Sequence, residues 1–434
     1  MVFLYQRKQI AVDSENSVKL RPFPFPFRAG VAICSDIDFC DKRTFIAVHR
    51  YLNTENYGLG LPVADSFFGL GREPDQLAFF EKNGATPSKN AEFIRQAIND
   101  GLIDSLHAWG DFNKVPPNPT ILRNMAENLT KDLIAHDLKI KIWINHGDPF
   151  NYQNISARLW PEYKGDDPEL DYYTVDLLKE LGVNFIWRSE LTPWPLSGNL
   201  KISSPYIWPR LALNELKNAI KIILQKKTRI RTASQITELA LPVSLKDGSQ
   251  CFAFTRFNQY PGGVWAFDPN RHTLRYSLND HSLDTVIKQE GYIVLYTHLG
   301  LPFNVQKEHP FPPEDRDALT KLADHYHSGR IWVAPTVDLL TYWLIHKYLI
   351  WNVHTERDCR IIEIEAINDP TLGSRLPIES ELAGICFYTS DPKNTFISLD
   401  GRRLKTVIHQ PDHTGIGCVG VPLPAPPKVD LLDN

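Results

Sequence analysis

Apolar and polar positions fall along this chain in alternating blocks. Eight runs are near-continuously apolar and short enough for strands: 30–38 (GVAICSDID), 61–68, 103–109, 139–146, 183–190, 249–257, 291–298 and 330–335. The segments between them repeat their apolar residues at helical spacing and carry helix punctuation. Ser88 can cap NAEFIRQAIND, which stops at Gly101. Asn118 stands before a long amphipathic run with Pro119 at the favoured first position. The segment 312–329 opens with prolines and acids and closes at Gly329.

Strands apolar on both faces, alternating with helices, predict a parallel sheet covered on both sides. Polar residues recur at the C-terminal ends of these strands, where barrel enzymes build their sites. The expectation is therefore a (β/α) barrel of seven or eight strands over 28–352, after an N-terminal lead-in at 1–27. The interval 191–248 is long, carries its own helical pattern and reads as an insertion. Beyond residue 352, short β-like runs separated by Asp, Pro, Gly and Asn predict a small antiparallel, sandwich-like all-β module over 353–434.

A net charge of −4 gives no electrostatic case for nucleic acid or a membrane surface. The most basic stretch, 217–231, has helical apolar spacing and reads as a solvated helix face. Six cysteines without a CxxC pair predict reduced, buried thiols and argue against a thiolate zinc site. No segment has the apolar length of a signal core or a membrane span, so a cytoplasmic protein is expected. No heptad or interface stripe specifies an oligomeric state.

The strand ends hold the candidate chemistry. Taken in order they offer Asp36 and Asp38, then His107, Trp109 and Asp111, then His146 and Asp148. Next come Arg188 and Glu190, then Arg256 and Asn258, and last His298. Period two puts Asp36 and Asp38 on one face, and two like charges held close need a compensator. Asp oxygens and imidazole nitrogens are the ligands a catalytic divalent ion takes. Each piece also has an ordinary explanation: Asp38 or Asp41 suits the cap of the helix RTFIAVHRYL, Asp111 and Asp148 suit turns, and Arg188 with Glu190 suits an ion pair.

An early D-x-D strand end, a later His strand end and a late His resemble the order seen in polysaccharide deacetylases. The resemblance spans about 28–345 and includes GRIWVAPTVDLLTYW at 329–343. It implies an irregular (β/α) barrel and a metal-dependent hydrolase that removes N- or O-acetyl groups from a carbohydrate. It casts Asp36 as catalytic base, Asp38 and His107 as metal ligands and His298 as general acid. The family's further histidine is replaced here by Asp111, so Asp111 or His146 would complete the metal site. Zinc is the first expectation, with iron, nickel, cobalt or manganese as alternatives. Arg188, Glu190 and Trp109 are candidates for holding substrate. Three rivals stand beside this: an amidohydrolase acting on a small non-sugar amide, a metal-free glycoside hydrolase using Asp36 and Glu190, and an inactive glycan-binding barrel. A cytoplasmic location favours a sugar intermediate of surface polysaccharide synthesis as substrate.

Overall fold

The computed structural model describes residues 18–112, 115–147, 150–156, 162–197, 238–261, 272–301 and 309–426. Most of the expected insertion, including the basic stretch at 217–231, lies outside these residues, as does Asp148. The described chain forms two compact units. The larger is drawn from Phe27–Trp343 with Pro370–Leu372, and the smaller from 18–26, Leu344–Asp369 and Gly373–Ala425.

In the larger unit the eight apolar runs do form strands, but they do not close on themselves. Seven strands make one sheet in the order Ala240–Ser244, Gln250–Phe254, Phe185–Trp187, Ile142–Ile144, Ile103–His107, Asp65–Leu70 and Ala78–Phe80. It is parallel except for the antiparallel outer pair Ala240–Ser244 and Gln250–Phe254. A second, six-stranded sheet runs Ile331–Val333, Ala29–Ser35, Gly291–Thr297, Arg256–Phe257 and Leu191–Thr192, with Leu196–Ser197 antiparallel to Gly291–Thr297.

The expected closed barrel of seven or eight strands is thus corrected to two mixed sheets with no closed barrel among the described residues. Two local features divide the strands. Between Ala29–Ser35 and Asp65–Leu70 a side chain stands where a ladder would run: Ser66 Oγ accepts from Ile37 N at 3.1 Å and donates to Ser35 O at 2.9 Å. At Thr255 the 250–257 run changes sheets. Phe252 and Ala253 pair with Phe185 and Ile186, whereas Arg256 and Phe257 pair with Leu191 and Thr192.

Helix ends follow side-chain chemistry. Asp41, not Asp38, caps Lys42–Asn53, its Oδ1 accepting from Thr44 N at 2.7 Å. Asn118 caps Pro119–Ala135 in the same way. Ser88 is not the cap of Ala91–Asn99. The helix begins three residues later, and Ser88 Oγ accepts from Asn90 N while donating to Ala78 O. Gly101 ends that helix with φ +72°, a conformation that favours glycine.

The smaller unit has two sheets of its own. One is antiparallel, ordered Lys19–Leu20, Cys386–Tyr388, Cys418–Gly420 and Val407–His409. The other contains Leu349–Glu356, Cys359–Asp369, Thr395–Leu399, Arg402–Arg403 and Gly373–Arg375. There the antiparallel expectation is corrected too, because Cys359–Asp369 and Thr395–Leu399 run parallel. No helix among the described residues is long and apolar enough to cross a membrane.

Candidate metal centre

The loop after Ala29–Ser35 is fixed at several points. Asp36 N donates to Thr297 O, Ile37 N to Ser66 Oγ, and Asp41 is committed to its helix. Asp38, released from capping, turns its carboxylate to two imidazoles. His107 ends Ile103–His107, and His146 follows Ile142–Ile144, the neighbouring parallel strand. Their Nε2 atoms lie 3.3 and 3.4 Å from the same oxygen, Asp38 Oδ1. Phe68 packs against both rings, with centroids 4.8 and 5.5 Å away.

One ligand atom from each of Asp38, His107 and His146 can be chosen so that all three lie within 4.8 Å of one another. Despite the two nearby nitrogens, Asp38 Oδ1 is buried without a well-formed hydrogen bond, as is His107 Nδ1. A buried carboxylate oxygen is costly to leave in that state. One carboxylate and two imidazoles are the donors that zinc and similar ions accept, so the cluster could hold a metal ion. Although burial opposes ionisation of Asp38, His146 and His107 outweigh it and hold the carboxyl well below its ordinary range.

Asn151 bears on how His146 would bind. Asn151 Oδ1 accepts from Phe112 N at 3.1 Å and from Gln153 Nε2 at 2.8 Å, which turns its NH2 toward His146 Nδ1, 2.9 Å away. With Nδ1 accepting, the neutral ring carries its proton on Nε2, facing Asp38. Binding a cation through Nε2 requires the proton to leave and the Asn151 amide to turn over.

Asp111, expected as an alternative ligand, sits at the edge of the cluster. Its Oδ1 is 3.8 Å from His146 Nε2 and makes no hydrogen bond, while Oδ2 is 3.7 Å from Arg72 Nε. Asp36 stands beside the cluster in a fork of Arg256, whose Nη1 and Nη2 donate at 2.6 and 3.1 Å. The buried guanidinium lies over the Trp187 ring at 3.5 Å and the Tyr296 ring at 4.5 Å. Burial pushes the Asp36 carboxyl up, but Arg256 and then His107 prevail, leaving it below the usual range. His298 Nε2 is 3.9 Å from Asp36 Oδ2 and 3.8 Å from Asp38 Oδ2. Burial lowers its pKa against the pull of both acids.

The substrate-side residues fall elsewhere. Trp109 is entirely buried in the core beside Trp143, its Nε1 donating to Thr174 Oγ1 at 2.9 Å. The expected role in holding a sugar ring is corrected to core packing. Ala108, at φ +59°, breaks the alternation that would have kept Trp109 on the face of His107. Arg188 and Glu190 engage each other: Arg188 N donates to Glu190 Oε2 at 3.0 Å, and Arg188 Nη2 is 3.7 Å from Oε1. Arg188 Nη1 also donates to Ser156 O. Arg256 was visible in sequence only as a strand-end residue, and its partnership with Asp36 was not. Neither Arg72 nor Asn151 gave any sequence signal.

Compared with known proteins, the chain matches no family model, no curated protein and no solved structure.

Proposed function

We propose that this protein is a metal-dependent hydrolase that removes an acyl group, N- or O-acetyl, from a carbohydrate. The observation that carries the metal half of this reading is Asp38 Oδ1, buried and approached by the Nε2 atoms of His107 and His146. The sugar half rests on the resemblance of the strand-end residues to polysaccharide deacetylases.

Asp38, His107 and His146 would hold the ion, with zinc first and iron, nickel, cobalt or manganese as alternatives. A divalent ion bound there supplies a Lewis acid and brings the pKa of water toward neutrality. Asp36, kept ionised by Arg256, accepts the proton of the attacking water through Oδ2, the oxygen nearer His298. His298 Nε2 lies 3.9 Å from that oxygen. It takes up the proton and delivers it to the departing nitrogen or oxygen. Arg256, packed against the Trp187 and Tyr296 rings, holds Asp36 in place throughout.

The metal-free glycosidase alternative has less support, because Asp36 and Glu190 are both engaged by arginines, whereas glycoside cleavage needs one protonated carboxyl. The test is release of acetate from a panel of acetylated sugars. Activity lost on chelation, restored by zinc or manganese and absent from His298→Ala is expected. Turnover unaffected by chelation, or no release from any acylated sugar by metal-loaded protein, would overturn the reading.

A further inference from the structure

Beside the metal centre stands a cation that the proposed chemistry does not use. Arg72 lies just beyond Asp65–Leu70, and backbone contacts fix its place. Arg72 N donates to Gln76 Oε1 at 2.7 Å, Gln76 forms a β-bridge with Asp41, and Leu77 N donates to Cys40 O at 2.7 Å. These ties hold the 71–77 loop against the loop that carries Asp38. On the other side Asp111 N donates to Leu70 O at 3.0 Å. The Arg72 side chain is 25% exposed and its guanidinium lies over the Phe39 ring, 5.2 Å from the centroid. Its Nε is 3.7 Å from both Glu73 Oε1 and Asp111 Oδ2, too far for a hydrogen bond. The neighbouring arginines differ. Arg256 is forked onto Asp36, and Arg188 serves Glu190 and Ser156 O. Among the described residues, Arg72 is the arginine at this centre whose side-chain donors are unspent.

Phe39 supports the same face. It follows Asp38 directly, has φ +64°, a conformation costly for a bulky side chain, and is 39% exposed. An aromatic ring held there in contact with solvent and with a guanidinium suits a surface that meets a ligand, since a sugar presents apolar C–H faces and the ring steadies the cation.

We propose that Arg72, backed by Phe39, selects an anionic substrate by binding a carboxylate or phosphate carried on the acylated sugar. The inference rests on the hydrolase reading of the adjacent centre and adds the substrate's charge to it. A planar guanidinium with free N–H groups matches the oxygen pair of either anion. Glu73 is largely exposed and its long contact with Arg72 is readily displaced. With a divalent ion bound, that ion, Arg72 and Arg256 together outweigh the carboxylates of Asp36, Asp38 and Asp111, so an anion is drawn to the site rather than repelled.

The test uses full-length protein with zinc present and three ligands: an N-acetylated hexosamine, the corresponding uronic acid and the 6-phosphate. Calorimetry measures binding, and acetate release is followed separately. The wild type should bind at least one charged form about tenfold or more tightly than the neutral sugar, with the preference shrinking as salt is raised. Arg72→Gln should bring charged and neutral forms within about twofold of each other, and Arg72→Lys, which keeps the charge without the fork, should fall between. Which charged form is favoured identifies the group. No preference in the wild type, a preference that survives in Arg72→Gln, or binding of none of the three would overturn the proposal. Preference without acetate release overturns the hydrolase reading alone, and acetate release without preference overturns this inference alone. The wild-type comparison decides even if the variants do not fold.

Discussion

Replacing Asn151 with aspartate separates a histidine that binds metal from one that only donates a hydrogen bond. In the wild type the amide oxygen holds Phe112 N and Gln153 Nε2, and the NH2 faces His146 Nδ1. Turning the amide over to free His146 Nε2 gives up those two hydrogen bonds, each worth about 1 kcal/mol net. Asn151→Asp removes that penalty: one oxygen keeps both donors and the other accepts from Nδ1–H, leaving the Nε2 lone pair for the ion. The gain of about 2 kcal/mol is roughly thirtyfold in affinity, within the 10–100-fold range of outer-shell partners of metal-bound histidines. The same change adds a buried charge near Asp111 and Asp38, so the metal-free variant should melt earlier while its metal-induced rise in Tm grows. Competition for zinc against a chromogenic chelator measures the affinity. Unchanged or weaker binding by a folded Asn151→Asp variant would refute His146 as a ligand through Nε2.

Three further outcomes follow from the same contacts. Arg256→Met leaves Asp36 buried without its cation and should cost about 3–5 kcal/mol in urea unfolding; a cost below about 1 kcal/mol would mean the pair is not what holds Asp36. Asp41→Ala should lose about 1 kcal/mol of stability while leaving metal content unchanged, and Asp38→Asn should do the reverse, which separates cap from ligand by calorimetry and elemental analysis. Asp104, whose carboxyl accepts from Val337 N and Ser105 Oγ, is pushed up to about 7 by burial. Its folded state binds the proton more tightly than the unfolded chain, so its contribution is complete below about pH 4 and is lost as pH rises through 7. The loss is on the order of 4 kcal/mol, and Asp104→Asn should flatten the stability profile between those limits.

The strands were legible because their apolar runs are nearly unbroken, and the caps at Asn118 and Asp41 because those side chains serve the adjacent amides. Which strands pair was not legible. Ser66 substitutes a hydroxyl for a ladder, and Thr255 passes one run from sheet to sheet, yet neither residue looks unusual in a string of letters. At the site, strand ends supplied Asp36, Asp38, His107, His146 and His298 as a group, because parallel strands present their C-terminal ends together. Trp109 was misassigned because a single left-handed residue, Ala108, turns it into the core. Arg256 and Asn151 act through partners about 220 and 5 positions away, a relation that only the folded chain makes visible.

The metal site is tested most directly by elemental analysis of wild-type protein purified without added metal, beside an Asp38→Asn, His107→Ala double variant shown to be folded. About one zinc, iron, nickel, cobalt or manganese per wild-type chain, lost in the variant, is the predicted result. No metal in either protein, even after reconstitution, would contradict it and leave Asp38, His107 and His146 as a buried hydrogen-bonding cluster.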